Sequence, residues 1–229
     1  MEKSDKVYNI FQRISPFYDS ANDRISLGLQ KSWKEQFVNT VLNTCSKDSS
    51  ILDLCSGTGD IAISLANKSQ ARVVGVDFSE NMLAQALDKA KGLENISFTK
   101  ADVSNLPFED ESFDNITISF GLRNTADYEK VLREILRVGK SKSYIYVLDS
   151  FSVENVLVKP FYTLFFKYIM PFLGGGFRRS KDYRWLYEST KNFISPDQLV
   201  QIFESLGLKN IKMKKMLFGA CVIVMGEKI

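Results

Sequence analysis

Short apolar runs, too brief for amphipathic helices, fall at 50–55, 72–77, 95–100, 113–119 and 143–149, and each reads as a strand. Between them, apolar positions recur every three or four residues over 59–68, 79–91 and 126–138, which is the helical period. Strand and helix in strict alternation predict a parallel sheet with crossover helices. Ser79 is placed to cap the second of these helices and Gly92 to stop it at C′. Residues 1–48 pattern as polar, amphipathic helix carrying Phe11, Phe17, Tyr18, Trp33 and Phe37, broken at Pro16. Towards the end, Ser195 caps a helix over 196–206 that has Pro196 at N1 and Gly207 as its stop. Two strands follow near 208–216 and 220–227, turning at Phe218-Gly219.

One stretch breaks this rhythm. Val156 to Phe177 is strongly apolar and aromatic, but Pro160, Pro171 and Gly174-Gly175-Gly176 divide it, and Lys159 and Lys167 interrupt it. A membrane-spanning helix needs about 20 continuous apolar residues, so spanning is not expected. The stretch reads as a lid or a surface receiving a greasy substrate, with two ordinary core helices as the equal alternative. Phe161, Tyr162, Phe165, Phe166 and Tyr168 are its candidates for lining an apolar channel.

Charge and composition narrow the chemistry. Thirty basic against 27 acidic residues in 229 give a net charge of +3, too balanced for a nucleic-acid partner. The lysines at 209, 212, 214 and 215 read as a solvated face. The chain contains no histidine, which excludes a Ser-His-Asp triad, a His-activated cysteine and a His-ligated metal. Cys45, Cys55 and Cys221 lack metal-ligand spacing and read as free thiols in a reducing compartment. No metal is expected, no basic-then-apolar leader opens the chain, and a cytoplasmic location is the expectation.

The candidate chemistry sits at Ile51-Leu52-Asp53-Leu54-Cys55-Ser56-Gly57-Thr58-Gly59-Asp60, a buried strand running into a glycine turn, with Asp77 ending the next strand. Gly57 and Gly59 let the backbone approach a ligand closely. A carboxylate at 77 can accept hydrogen bonds from both hydroxyls of a ribose. Gly57 to Ala62 also satisfies the loose dinucleotide fingerprint G-x-G-x-x-G/A, so NAD fits the turn almost as well. Three features favour S-adenosylmethionine. Asp53 stands where it can reach a cationic amino-acid moiety, Ala101-Asp102-Val103 after the third strand suits an adenine edge and face, and the chain closes with a helix and two strands. Little length remains for the separate catalytic domain a dehydrogenase needs.

Asn105-Leu106-Pro107-Phe108, Ser112-Phe113-Asp114 and above all Thr117-Ile118-Ser119-Phe120-Gly121-Leu122-Arg123-Asn124 resemble the quinone-biosynthesis C-methyltransferases, which act on demethylmenaquinol or a ubiquinol precursor. Tyr18-Asp19-x-x-Asn22, Ser26-x-Gly28, Trp33, Tyr183-x-x-x-x-Tyr187-Glu188-Ser189 and Phe193 extend the resemblance over nearly the whole chain. Gln30 departs from it, standing where the family has His; Ser141-Lys142-Ser143 replaces Pro-Gly-Gly in a loop before strand 5; Asp149 stands for Glu. The resemblance implies an α/β, Rossmann-like class I methyltransferase. Its sheet would have seven mostly parallel strands with an antiparallel last strand, a helical extension at the N-terminus and a helical insertion before the C-terminal strands. We expect one domain: a cap at 1–48, a cofactor core at 49–150, an apolar lid at 151–194 and a C-terminal helix and hairpin at 195–229.

The resemblance implies S-adenosylmethionine as cofactor and a prenylated quinol as partner. Thr58, Asp77, Asp102, Val103 and Ser119 match its cofactor positions, beside Asp53, Gly57 and Gly59 from the turn itself. Arg123 and Asn124 are candidates for the quinol oxygens or a bound water, and Tyr18 and Asp19 for substrate contact and proton removal. Helix capping by Asn124 and an Asx turn at Asp19 are the bland alternatives. Arg178, Arg179 and Lys181, just after the apolar stretch, are placed to touch anionic lipid at a membrane surface. The sequence sets no oligomeric state, so self-association stays open. A methyltransferase of another small molecule or lipid, and an inactive cofactor-binding subunit of a quinone-biosynthesis complex, are the competing readings.

Overall fold

The computed structural model describes residues 3–170, 173, 184–185 and 187–229. Its centre is a seven-stranded sheet: β1 (Ser50–Leu54), β2 (Arg72–Asp77), β3 (Ile96–Lys100), β4 (Phe113–Ser119), β5 (Gly139–Ser150), β6 (Lys209–Met216) and β7 (Cys221–Glu227). The strand order is β3-β2-β1-β4-β5-β7-β6. The first five strands pair in parallel, and β7 runs antiparallel to both β5 and β6. Strand order therefore reverses between β1 and β4, which opens a crevice at the carboxyl ends of the strands, where α/β sheets take ligands.

Burial on both faces explains the continuous apolar runs. On one face Leu52, Val74, Ile116, Val147 and Val224 pack with Leu132 and Ile135 of α6 (Tyr128–Val138) and Leu199 and Phe203 of α8 (Pro196–Ser205). On the other, Ile51, Val73, Leu148 and Ile223 pack with Phe37 and Val41 of α3 (Leu29–Leu42) and Leu65 of α4 (Asp60–Lys68). Successive residues of one strand thus serve opposite cores, and truncating fully buried Phe37 to Ala would cost about 3–5 kcal/mol.

The helix signals hold with small shifts. Ser79 accepts from the Met82 amide (3.3 Å) and caps α5 (Glu80–Lys89), but Ala90 is the C-cap, so Gly92 (φ 89°) lies one position beyond the expected C′. Ser195 and Gln198 form a reciprocal capping box on α8, and Gly207 (φ 84°) follows its C-cap. α6 begins at Tyr128, with Asp127 accepting from the Lys130 amide (2.9 Å) as its cap. Ser141-Lys142-Ser143 is corrected from loop to strand. It lies inside β5 as an irregularity, with Lys142 at φ 67° bonded through its amide to the Lys228 carbonyl (2.8 Å).

The amino-terminal region is helical, as patterned. α1 (Lys3–Ile14) leads through a 3-10 turn at Ser15–Phe17, which contains Pro16, into α2 (Tyr18–Ile25) and then α3. After β5, α7 (Lys159–Leu164) continues as a π-turn at Phe165–Ile169. Phe165 and Phe166 meet Ile10, Ile14, Tyr18, Ala21 and Met82 in a third cluster that roofs the carboxyl edge. Phe161 and Tyr168 instead face outward, 76% and 61% exposed, which removes them from a closed channel. Pro171, the Gly174–Gly176 run, Arg178, Arg179, Lys181 and Tyr183 lie outside the described residues. No helix among the described residues is long and apolar enough to cross a membrane.

Candidate active site

The turn after β1 packs three left-handed residues into five positions: Cys55 (φ 53°), Gly57 (φ 55°) and Gly59 (φ 86°). It is pinned to the end of β2, because the Ser56 amide donates to the Val76 carbonyl (2.9 Å) and the Gly57 amide to Asp77 Oδ2 (2.9 Å). Asp77 Oδ1 accepts from the Ser79 amide (2.9 Å), so one carboxylate aligns two turns. Burial pushes the Asp77 carboxyl up to about 6, against the pull of the Ser79, Gly57 and Phe78 amides. The two glycines differ. A Cβ on Gly57 would project into open cleft, with nothing within 4 Å. A Cβ on Gly59 would press on Ala86 and Ile63 (3.0 Å) and Phe98 (3.1 Å), so Gly59 serves close helix packing.

A cleft of about 390 Å³ opens here. Its walls hold Gly57, Asp77, Asp102, Val103, Ser119, Tyr18 and Asn124 of the expected residues. Cys55, Phe78, Met82, Phe120, Asp127 and Lys130 also line it, with Val7 and Phe11 descending from α1. Reading the sequence missed these. Phe78 had a signal in following the acid directly, while the contribution of α1 is purely tertiary.

Five expected residues stand off the cleft wall. Asp53 is fully buried and accepts from Thr117 Oγ1 (2.7 Å); burial pushes its carboxyl up to about 7, against the pull of Thr117 and the Ala62 amide. Gly59 packs inward, as above. Thr58 Oγ1 donates to Asp19 Oδ1 (2.8 Å), and Lys89 Nζ bridges Asp19 (2.5 Å), Thr58 (3.0 Å) and Asp60 (2.9 Å). Thr58 and Asp19 therefore form a clasp between α2 and the glycine turn, and Asp19 is held away from any proton in the cleft. Arg123 is buried in an ion pair with fully buried Asp149, which also accepts from the Arg123 amide (3.1 Å).

Arg123 and Asn124 converge on one atom. Arg123 Nη1 (2.9 Å) and Asn124 Nδ2 (3.1 Å) both donate to the carbonyl of Phe120, which sits at φ 54°. Asn124 Oδ1 accepts from Trp185 Nε1 (3.2 Å), joining the wall to the region after β5. Burial pushes the Tyr18 hydroxyl up to about 12 while the Arg123 charge pulls the other way, so at neutral pH it is a hydrogen-bond donor and no base. Gln30, the departure noted above, is buried in the first turn of α3 and is not part of the cleft wall.

These walls fit an adenosyl sulfonium. Asp77 keeps unused lone pairs beside its two amide bonds, Phe78, Met82 and Val103 offer apolar faces, and the space before Gly57 is open. Burial chiefly raises the Cys55 thiol, and the nearby Asp77, Asp53, Asp149 and Asp102 raise it further; these acids lend this end of the cleft a negative potential suited to a cationic ligand.

Residues 1–228 match the model of the ubiE/COQ5 methyltransferase family. The demethylmenaquinone methyltransferase of Staphylococcus saprophyticus is 39% identical over 229 residues, covering 99% of this chain and 97% of that protein. That of Bacillus cytotoxicus is 39% identical over 231 residues, with the same coverage. Among solved structures, a SAM-dependent methyltransferase from Thermotoga maritima is similar at TM-score 0.66 and 21% identity, covering 97% of this chain and 100% of that one. One from Aquifex aeolicus is similar at TM-score 0.59 and 18% identity, covering 84% and 89%. At such identities these structures speak for the fold alone.

Proposed function

This chain belongs to the ubiE/COQ5 methyltransferase family, and on that footing we propose that it methylates a ring carbon of a prenylated quinol, converting a demethylmenaquinol to a menaquinol. S-adenosylmethionine is its methyl donor; bound, it supplies an electrophilic methyl on a sulfonium, with a neutral thioether as leaving group. The observation that carries the reading is one continuous cleft. Asp77 and Gly57 line it together with Tyr18, Phe120 and Asn124, and its Met82 belongs to the apolar cluster against which Phe165 and Phe166 pack.

In this reading Asp77 accepts the ribose hydroxyls, the Gly57 backbone approaches the amino-acid moiety, and Asp102 and Val103 frame the adenine. Ser119 lies between donor and acceptor. Tyr18 donates to a quinol oxygen and so steadies the phenolate that makes the ring carbon nucleophilic. Asn124 orients the same ring. Arg123 acts through Phe120 and Asn124, fixing the wall against which the acceptor lies. The quinol proton leaves to water, since Asp19 is clasped by Lys89 and Tyr18 is protonated. Holding the reactants in line supplies most of the rate, by up to about 7–11 kcal/mol in well-oriented systems. We take the chain as one methyltransferase domain, with the described parts of 1–48 and 151–194 as cap and roof over 49–150.

Labelled S-adenosylmethionine, a demethylmenaquinol with a short tail, and a reductant test this. Label should enter the quinol only under reducing conditions. Equal labelling of the oxidised quinone would sink the phenolate chemistry. Cofactor binding with no turnover on any quinol would point to the inactive-subunit reading instead.

A further inference from the structure

Most of the large apolar side chains exposed to solvent among the described residues gather at one edge of the molecule; Leu87, Met213 and Ile229 lie elsewhere. Leu27 (72% exposed) tips the turn between α2 and α3, and α3 reaches the start of α4 through Lys34 and Asp60 (2.8 Å). Leu157 (81%) and Phe161 (76%) lie in the segment that leaves β5. Phe218 (66%) tips the turn between β6 and β7, where the Phe151 amide holds the Ala220 carbonyl (3.0 Å). All three places lie at the carboxyl edge of the sheet, where the cleft opens. At the opposite edge the turns at 43–49, 69–71 and 108–112 expose no large apolar side chain among the described residues; Leu87 (56%), in the last turn of α5, and Ile229 (73%), after β7, are the exceptions there.

Backbone geometry adds a second observation. Leu27 (φ 52°), Leu217 (φ 45°) and Phe218 (φ 54°) are left-handed, a conformation that β-carbon sterics disfavour and that glycine or asparagine would adopt more easily. Bulky side chains are thus held outward on strained tips where small or polar residues would fold better. Projecting tips suit a deformable apolar phase, which accepts them without matching pockets. Lys159 and Lys167 punctuate the apolar segment, and among its described residues and their flank the one exposed acid is Glu154, at its start.

We propose that this edge is an interfacial surface that rests on an anionic lipid bilayer. Leu27, Leu157 with Phe161, and Leu217 with Phe218 enter the acyl boundary, and Lys159 and Lys167 meet the headgroups. The proposal rests on the quinol reading, since a prenyl tail partitions into that same phase and would reach the cleft beneath Phe165 and Phe166 without crossing water.

The test is flotation of the full chain with vesicles of phosphatidylcholine alone or mixed with phosphatidylglycerol. The variant combines Leu27→Asn, Leu157→Gln and Phe218→Asn; asparagine tolerates the left-handed backbone, so the thermal transition should hold. Wild type should float with the anionic vesicles, less at high salt, and the variant at least tenfold more weakly. Turnover of a tail-less quinol in solution should be unchanged in the variant, and turnover of a long-tailed quinol in vesicles should fall. If the triple variant loses its transition, Leu27→Asn alone replaces it, with a smaller loss of flotation expected. Wild type that never floats, or a variant that floats equally, overturns the proposal. So does a wild-type dimer, without vesicle binding, that the variant makes monomeric. Vesicle binding with no methylation of any quinol would overturn the reaction and leave this surface standing.

Discussion

At the scale of single residues, Asp77 and Asp149 do different work with the same functional group. Asp77 faces the cleft and accepts from two backbone amides. Asp77→Asn would set an amide NH2 against one of those amides and remove the charged acceptor for a ribose. Charge-assisted hydrogen bonds contribute about 1.5–3 kcal/mol each, so cofactor affinity should fall by roughly 10- to 100-fold in titration calorimetry. Binding within a factor of two of wild type would remove Asp77 from the cofactor site. Asp149 is fully buried and balances Arg123. Arg123→Ala strands that carboxylate and should cost about 3–5 kcal/mol of stability along with turnover. Arg123→Ala combined with Asp149→Asn should recover most of the stability, leave cofactor affinity near wild type and still not recover kcat. If kcat returns with stability, Arg123 does nothing beyond neutralising Asp149.

At the scale of elements, the walls of the cleft are built from two strained turns that cross. Cys55 follows β1 and Phe120 follows β4, both left-handed, and Gly121 lies against Cys55 so closely that a Cβ there would come within 2.7 Å of the Cys55 Sγ. Gly121→Ala should therefore destabilise the protein by about 1–3 kcal/mol, the range for overpacking. Cys55→Gly, which removes both the obstructing side chain and its backbone strain, should restore much of that loss. A double-mutant cycle by thermal denaturation that returns additive effects would show that the two turns do not press on each other. The strands themselves were legible in the sequence because burial on both faces writes continuous apolar runs, and Ser195 and Ser79 declare their helices through local hydrogen bonding. The turns were legible only in part. Gly57 and Asp77 carry a local signal, but the clasp of Thr58 by Asp19 and Lys89 joins residues far apart in the chain, and no periodicity reports it. The seat of Arg123 on Asp149 is hidden for the same reason: its partner lies on the neighbouring strand, and its target is a main-chain carbonyl. Ser141–Ser143 reads as a loop because its residues are small and polar, yet the Lys228 main chain holds it within β5.

For the whole molecule, these buried acids set how stability and binding respond to pH. Asp60, Asp114 and Glu134 are held below their usual range, chiefly by lysine or arginine partners that outweigh their burial. Lowered carboxyls contribute stability above their unfolded pKa values and lose it as pH falls. Asp53 and Asp77 act in the other direction. Their folded values, about 7 and about 6, exceed the unfolded 3.8, so the folded state binds more protons and loses stability as pH rises from about 4 to 7. Apo-protein stability should therefore peak near about pH 4, where the gain from the first group is ending and the loss from the second begins. A cationic donor in the cleft favours the ionised forms of Asp53 and Asp77, so binding must release protons in the window where they are still protonated. At pH 6.5, calorimetry in buffers of different ionisation enthalpy should show release of a substantial fraction of one proton, and cofactor affinity should strengthen as pH rises from about 5 to 7.5. Asp53→Asn should cut that release and make the apo-protein more stable above pH 7, since the buried group can no longer ionise. Binding that is independent of buffer, with the same affinity at pH 5.5 and 7.5, would mean that neither carboxylate responds to the cofactor's charge. The negative potential around Cys55 would then be a by-product of the fold and no part of how the methyl donor is held.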